Sequence, residues 1–190
     1  MSTAEDLGRE LGASGRCIRR ALNDGLIHGD RPSPKKLVIP TRERLYLRDW
    51  WELLFTLRSA LRTEPAVNLA VVHGSVARGD ADADSDVDLL VELKRDDPQV
   101  AAGVRRRLER AIGRCVGLAR LPRVETDAPI LLAEALDEGR VLVDRSGRWA
   151  ELRSQRRGIE RRAAAAFAEE MRATEAALDR VERRAAETRA

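Results

Sequence analysis

The sequence has little of what would tie it to an oxidising compartment, a zinc ion or a lipid bilayer. Its 190 residues include two cysteines, Cys17 and Cys115, 98 positions apart, with no CxxC pair and no Cys–His spacing. That argues against both a disulfide framework and a zinc site. No apolar run approaches the ~20 residues that span a bilayer, and the N-terminus lacks the apolar core of a signal peptide. A cytoplasmic protein with no membrane partner is expected. Lysine is scarce too, with Lys35, Lys36 and Lys94 the only three among 35 basic residues. Two explanations of the arginine bias stay open: a GC-rich genome, or selection for a planar fork that grips phosphate bidentately.

What is present suits one domain of ordinary size, with or without small appendages. Hydrophobic residues make up 43 % of the chain, enough for a core, and 35 % are charged. The net charge of +3 is unevenly spread: residues 1–48 hold ten basic and six acidic side chains, residues 148–190 eleven and eight. Basic flanks around a slightly acidic centre are the distribution expected of an anionic polymer held outside a metal site.

Ser2 and Thr3, followed by Glu5 and Asp6, start a helix that runs to about Leu11. Gly12-Ala13 turns the chain, and Ser14 caps a second helix, residues 15–24, closed by Gly25. Two short helices joined by a glycine-containing turn are the helix-turn-helix pattern, and LGASGRCIRRALNDGLI resembles that of small bacterial regulators. Residues 28–39 read as a wing or an extended linker, with a strand at 36–39. In a DNA reader Ser14, Arg16, Arg19 and Arg20 would face the major groove, and Lys35 and Lys36 the phosphates. A small helical cap with solvated basic residues is the competing reading.

A longer helix follows at 41–62, with Leu45, Trp50 or Trp51, Leu54, Leu57 and Leu61 on its core face. From residue 66 the pattern alternates: strands at 67–73, 87–93, 114–121 and 141–143, a helix opened by Asp97-Pro98 and ended by Gly113, and another capped by Asp127 and closed by Gly139. From Trp149 on, apolar residues step by three, four or seven, so the tail is helical. Some forty residues would make a rod of roughly 60 Å. It either breaks into a hairpin or carries an Ala-rich stripe to another chain. These divisions make residues 1–40 a helix-turn-helix and wing module, 41–147 a catalytic-type domain led by its 41–62 helix, and 148–190 a charged Ala/Arg-rich tail. The fold class is α/β (α+β), a mixed sheet with flanking helices.

The chemistry concentrates in residues 74–88, GSVARGDADADSDVD. Gly74 lets the backbone approach a phosphate that a Cβ would block. Ser75 adds a hydroxyl at the start of a helix whose unpaired N–H groups favour anions. Arg78 either pairs with phosphate or fixes the helix to the carboxylates. Asp86 and Asp88 stand two apart on a strand, so both carboxylates project from one face, an oxygen set that suits Mg²⁺ bridging to substrate phosphates.

This string resembles GSxxxGx(n)SDxDLxV, the fingerprint of the polymerase-beta-like nucleotidyltransferase superfamily. The GSxxRGxxxxxSDxDL spacing is most similar to its minimal nucleotidyltransferase branch, over about residues 66–144. The resemblance implies Asp86 and Asp88 as catalytic metal ligands for Mg²⁺ (or Mn²⁺), and Gly74, Ser75, Arg78 and Ser85 as the nucleotide-binding set. It also implies transfer of a nucleoside monophosphate, AMP favoured, from the triphosphate to a protein or RNA hydroxyl. Many members of the branch are antitoxins paired with a small helical HEPN toxin, so such a toxin, or a second copy of the chain, is an expected partner of residues 148–190.

Two positions depart from the pattern. His73 stands where an aromatic or aliphatic residue is usual, either a packed histidine with a satisfied polar tip or a titratable group near the phosphates. Gly117 falls where the superfamily supplies a third carboxylate, unless Glu125 or Asp127 substitutes from the following loop. An alternative function follows: a DNA-binding transcriptional regulator, binding through residues 1–40, whose nucleotidyltransferase-like domain only holds a nucleotide or a partner.

Overall fold

The structure, a computed structural model, describes residues 3–33 and 36–189; Pro34 and Lys35 of the expected wing lie outside the described residues. Helix α1 (Ala4–Glu10) opens on a capping box in which the Thr3 hydroxyl accepts the Asp6 N–H and the Asp6 side chain accepts the Thr3 N–H. Helix α2 (Gly15–Asn23) is capped by the Ser14 hydroxyl, which accepts the Cys17 N–H. The wing region is a short antiparallel hairpin, β1 (Asp30–Ser33) and β2 (Lys36–Val38). Only its second strand is legible in the sequence, because Pro32 lowers the strand propensity of the first.

Helix α3 (Thr41–Arg62) buries Tyr46, Leu47, Trp51, Leu54, Leu57 and Leu61. Leu45 is not on this face, contrary to the sequence expectation: it is 53 % exposed. Two residues short of Leu47, it sits about 200° around the helix. Strand β3 (Val67–His73) leads into the five-residue α4 (Gly74–Arg78), and β4 (Val87–Leu93) follows the acidic loop. Then come α5 (Pro98–Ile112), β5 (Val116–Arg120), α6 (Leu121–Asp127), α7 (Pro129–Glu138) and β6 (Arg140–Asp144). Helix α6 was expected to be a loop, and Asp127 is its last residue rather than the cap of α7, whose first turn starts from Ala128 without a side-chain cap. Pro122 and Pro129 each sit at a helix start, where a missing N–H costs nothing, so two short helices replace one loop and one helix.

The sheet has four strands in the order β5-β4-β3-β6. β3 runs antiparallel to both β4 and β6, and β4 parallel to β5. Residues of α1, α2, α3 and α5 pack on one face, together with Ala70, Val72, Leu89 and Val91. On the other face Leu69, Val71 and Leu90 meet α6, α7 and the helices that follow. The N-terminal helices share the first core outright, since Leu7, Ile18, Leu26 and Ile27 are all at most 2 % exposed in it.

The tail forms no hairpin. It breaks once, at Gln155, between α8 (Arg148–Ser154) and α9 (Arg156–Arg189). Ile159 completes the second core and Ala163 is buried beyond it, but Phe167, Met171, Leu178 and Val181 are exposed. At 1.5 Å per residue, the 34 residues of α9 span about 50 Å, far beyond the body that buries its first two turns. No helix among the described residues is long and apolar enough to cross a membrane.

Candidate active site

Three strands bring one row of residues together where β3 ends and β4 begins. His73 is the register partner of Asp88 on β4, and Asp88 that of Gly117 on β5. Paired residues share a face, so Gly117, Asp88 and His73 stand in line on the face that carries Val71 and Leu90. Asp86, two residues before Asp88, is exposed where the acidic loop joins β4, and Asp88 is half-buried.

Gly74 follows His73 with φ +69°, a conformation that favours glycine. A Cβ there would come within 3.1 Å of Asp88 Oδ2. Its N–H donates to Glu138 Oε1 at 2.8 Å. Arg78 donates to both Glu138 oxygens, at 3.1 and 3.3 Å, and to Asp80 Oδ2 at 3.1 Å, contacts that hold its guanidinium pKa above the ordinary value. Arg78 thus ties α4 to the end of α7. Among the described residues the Ser75 hydroxyl has no hydrogen-bond partner, which leaves it open at the first turn of α4. The Ser85 hydroxyl donates to Asp82 Oδ1 at 2.6 Å and accepts the Asp82 N–H at 3.0 Å. Bonding to Ser85 holds the Asp82 carboxyl below the usual carboxylate range.

The acidic loop has an anchor that sequence reasoning missed. Arg114 donates to the carbonyls of Asp82 and Ser85, while its guanidinium lies 5.8 Å over the Trp50 ring. It fixes the loop just before Asp86. Glu138 was missed as well. Its signal was its place immediately before the glycine that closes α7, a position passed over because the contact to Gly74 spans 64 residues.

The third-carboxylate question resolves in the geometry. Among the described residues no group of three or more His, Cys, Asp and Glu side chains is arranged to hold a metal ion. Glu125 does not substitute. It lies on α6 and pairs with Arg148, which also holds Glu92, four residues and about 13 Å along β4 from Asp88. Asp127 ends the same helix. At Gly117 a Cβ would lie 2.4 Å from Asp88 Oδ1, so the Asp88 carboxylate fills the space that a side chain there would need. The donor set still fits one hard cation, because Mg²⁺ commonly takes one or two carboxylates and completes its shell with waters and substrate phosphates. Asp86 and Asp88 would hold it. Gly117→Ala is accordingly expected to turn the Asp88 carboxylate away and weaken Mg²⁺-dependent ATP binding about tenfold, as a misplaced ligand does. Calorimetry with and without Mg²⁺ measures this, and unchanged affinity would show that Asp88 does not act from its present position.

His73 is 8 % exposed, and its Nε2 is buried with no hydrogen-bond partner among the described residues. The expected satisfied tip is therefore not found. Burial pushes the imidazole below its ordinary value, against the opposing pull of Asp88, Glu138 and Glu134. A depressed folded-state pKa contributes stability above the unfolded value of about 6.5 that is lost as pH falls below it. The urea midpoint is expected to drop between pH 7.5 and 5.5, and His73→Phe to shrink that drop. His28, also depressed chiefly by burial, keeps part of it in place. An equal drop in both proteins would exclude His73 as its source.

Four of the residues expected to read DNA, Ser14, Arg16, Arg19 and Arg20, lie together at α2. Ser14 is spent on its cap, Arg16 is exposed, Arg19 pairs with Glu5, and Arg20 reaches Asp24 at 3.8 Å. Lys35 and the side chain of Lys36 lie outside the described residues.

The family model described as "Polymerase beta, Nucleotidyltransferase" matches residues 56–148. No curated protein matches the chain. Among solved structures, one similar chain comes from a toxin-antitoxin crystallised with AMP-PNP, at 18 % identity, 62 % of this chain and 98 % of that one, and a TM-score of 0.48. Another comes from a tri-AMPylated Shewanella oneidensis HEPN toxin in complex with MNT antitoxin, at 16 % identity, 64 % and 98 % coverage and a TM-score of 0.45. A third, from the toxin-antitoxin MntA-HepT, has 16 % identity, 64 % and 98 % coverage and a TM-score of 0.44. The segment matched by that family model, residues 56–148, contains the Gly74 turn and the Asp86–Asp88 pair.

Proposed function

We propose that the chain transfers a nucleoside monophosphate, AMP favoured, from a triphosphate to a hydroxyl on a protein or RNA. The observation that carries this reading is the Asp86–Asp88 pair set beside the Gly74 turn and the unpartnered Ser75 hydroxyl, within the matched segment. The acceptor oxygen forms a bond to the α-phosphorus, the bond from that phosphorus to the bridging oxygen breaks, and pyrophosphate leaves with the electron pair. Asp86 and Asp88 would hold Mg²⁺ (or Mn²⁺), which would supply charge neutralisation at the phosphates. Ser75 and the first turn of α4 bind phosphate oxygens, while Arg78 and Glu138 fix that turn. The motif resemblance supports an antitoxin role, with a small helical HEPN-type toxin as acceptor and the exposed stripe of α9 as its docking face.

A second reading, favoured by Gly117, is a protein that binds nucleotide and metal without turnover and regulates transcription through residues 1–40. Incubation with each α-labelled triphosphate and Mg²⁺, alongside tRNA or the co-expressed product of a neighbouring gene, separates the two. Label on the acceptor is expected. ATP binding by calorimetry with no label transferred would establish the second reading. Salt-dependent binding to its own upstream DNA, weakened by Arg16→Ala, would then identify the regulator.

A further inference from the structure

A second anion site lies away from the Asp86–Asp88 pair. A cleft of about 540 Å³ opens between α2, the end of α3, strand β6 and α8. Five arginines line it, Arg20, Arg58, Arg62, Arg145 and Arg153, against two carboxylates, Asp24 and Asp144. The two acids are already committed. Asp24 accepts from Arg58 and pairs with Arg20, and Asp144 accepts the N–H groups of residues 146–149 at the start of α8. Arg145 spends its donors on carbonyls at the end of α3 and the start of β3. Arg62 and Arg153 remain: both are exposed, and among the described residues neither side chain has an ion-pair partner. The cleft therefore presents two uncommitted guanidinium groups beside three further arginines and two carboxylates that already have partners.

We propose that this cleft holds the phosphodiester backbone of a nucleic-acid strand. The donors are all guanidinium groups, whose planar forks match phosphate oxygens. The volume is that of a small-ligand pocket, room for one or two nucleotides of a strand that continues over the rim. The large apolar residues of the lining, Leu22, Leu142, Val143 and Trp149, are each at most 9 % exposed, which leaves little for the apolar side chains of a peptide to grip. The cleft begins where Asp144 pairs with Leu69, four residues along β3 from His73, about 13 Å from the Asp88 row. The cleft and the Asp88 row therefore lie toward opposite ends of β3. The assignment does not depend on transfer taking place.

The test uses the full-length protein and fluorescence anisotropy with a labelled RNA hairpin and a DNA duplex of matched sequence at 50, 100 and 200 mM salt. Arg62→Ala/Arg153→Ala is expected to weaken binding at least tenfold and to lower the log–log salt slope by about two, with the thermal midpoint and ATP affinity unchanged. Arg106→Ala, an exposed arginine of α5 outside the cleft lining, is expected to leave it unchanged. RNA bound more tightly than DNA would make the ligand an RNA, and the reverse a DNA. The proposal is overturned if neither nucleic acid binds, if the double variant binds as the parent does, or if poly-glutamate binds as tightly as RNA through the same two arginines.

Discussion

Glu43→Gln is expected to cost about 3–5 kcal/mol of folding stability, the range for leaving a buried charge unpaired. Glu43 and Arg140 are each 5 % exposed as side chains and meet through two bonds, of 2.6 and 3.0 Å. Arg140 also donates to the Ala77 carbonyl at 2.9 Å and to that of Leu26 at 3.4 Å, and stacks 3.5 Å over the Tyr46 ring. Glu43 Oε1 accepts the His28 N–H at 2.9 Å, the His28 ring donates to the Gly139 carbonyl, and the Tyr46 hydroxyl donates to the Val76 carbonyl. Burial pushes the Tyr46 phenol pKa well up, so it stays a donor. One ion pair thus joins the N-terminal helices, α3, β6 and the helix that follows Gly74.

Because domains are stable by only ~5–15 kcal/mol, such a loss removes a large part of the total. Arg140→Met should cost a similar amount. The double replacement Glu43→Leu/Arg140→Met should recover much of it, since a hydrophobic pair of like volume often matches a buried ion pair. Chemical denaturation of the four proteins measures this cycle. A Glu43→Gln protein within 1 kcal/mol of the parent would show that water reaches the pair.

Asp88→Asn has the opposite profile, a large loss of function at little cost in stability. Asp88 accepts no hydrogen bond from a described residue and is half-buried, so removing its charge leaves no donor unpaired. Transfer of labelled nucleotide is expected to fall by on the order of 10³-fold, the scale for removing one element of preorganised charge stabilisation, while the thermal midpoint stays level or rises. Asp86→Asn should act in the same direction. Unchanged transfer with Asp88→Asn would sink the catalytic assignment. A lowered midpoint would instead make Asp88 a structural residue.

Much of this was legible in the sequence, for a physical reason. Helix caps, turn residues and period are set by neighbours within a few positions, and so the range 41–62 and the strand from 67 to 73 match α3 and β3. The GS turn and the DxD pair are likewise local: two carboxylates two apart on a strand share a face whatever surrounds them. Local rules failed where two signals competed. Pro122 opens α6 where the sequence pattern offers only a loop after the strand, and Leu45 reads as core because hydrophobicity alone does not orient a helix.

Only the tertiary structure decided what stands across from each of those residues. Pairing of β4 with β5 puts Gly117 against Asp88 and closes the place of a third carboxylate. The packing of α7 carries Glu138 to Gly74, and β6 carries Arg140 to Glu43, 97 residues away in sequence. Such contacts depend on strand order and helix docking, which no short window of sequence encodes. The motif specified a nucleotidyltransferase-type turn and a carboxylate pair by itself. The fold decided that, among the described residues, no third carboxylate joins the pair, and that Asp88 has a histidine on one side and a glycine on the other.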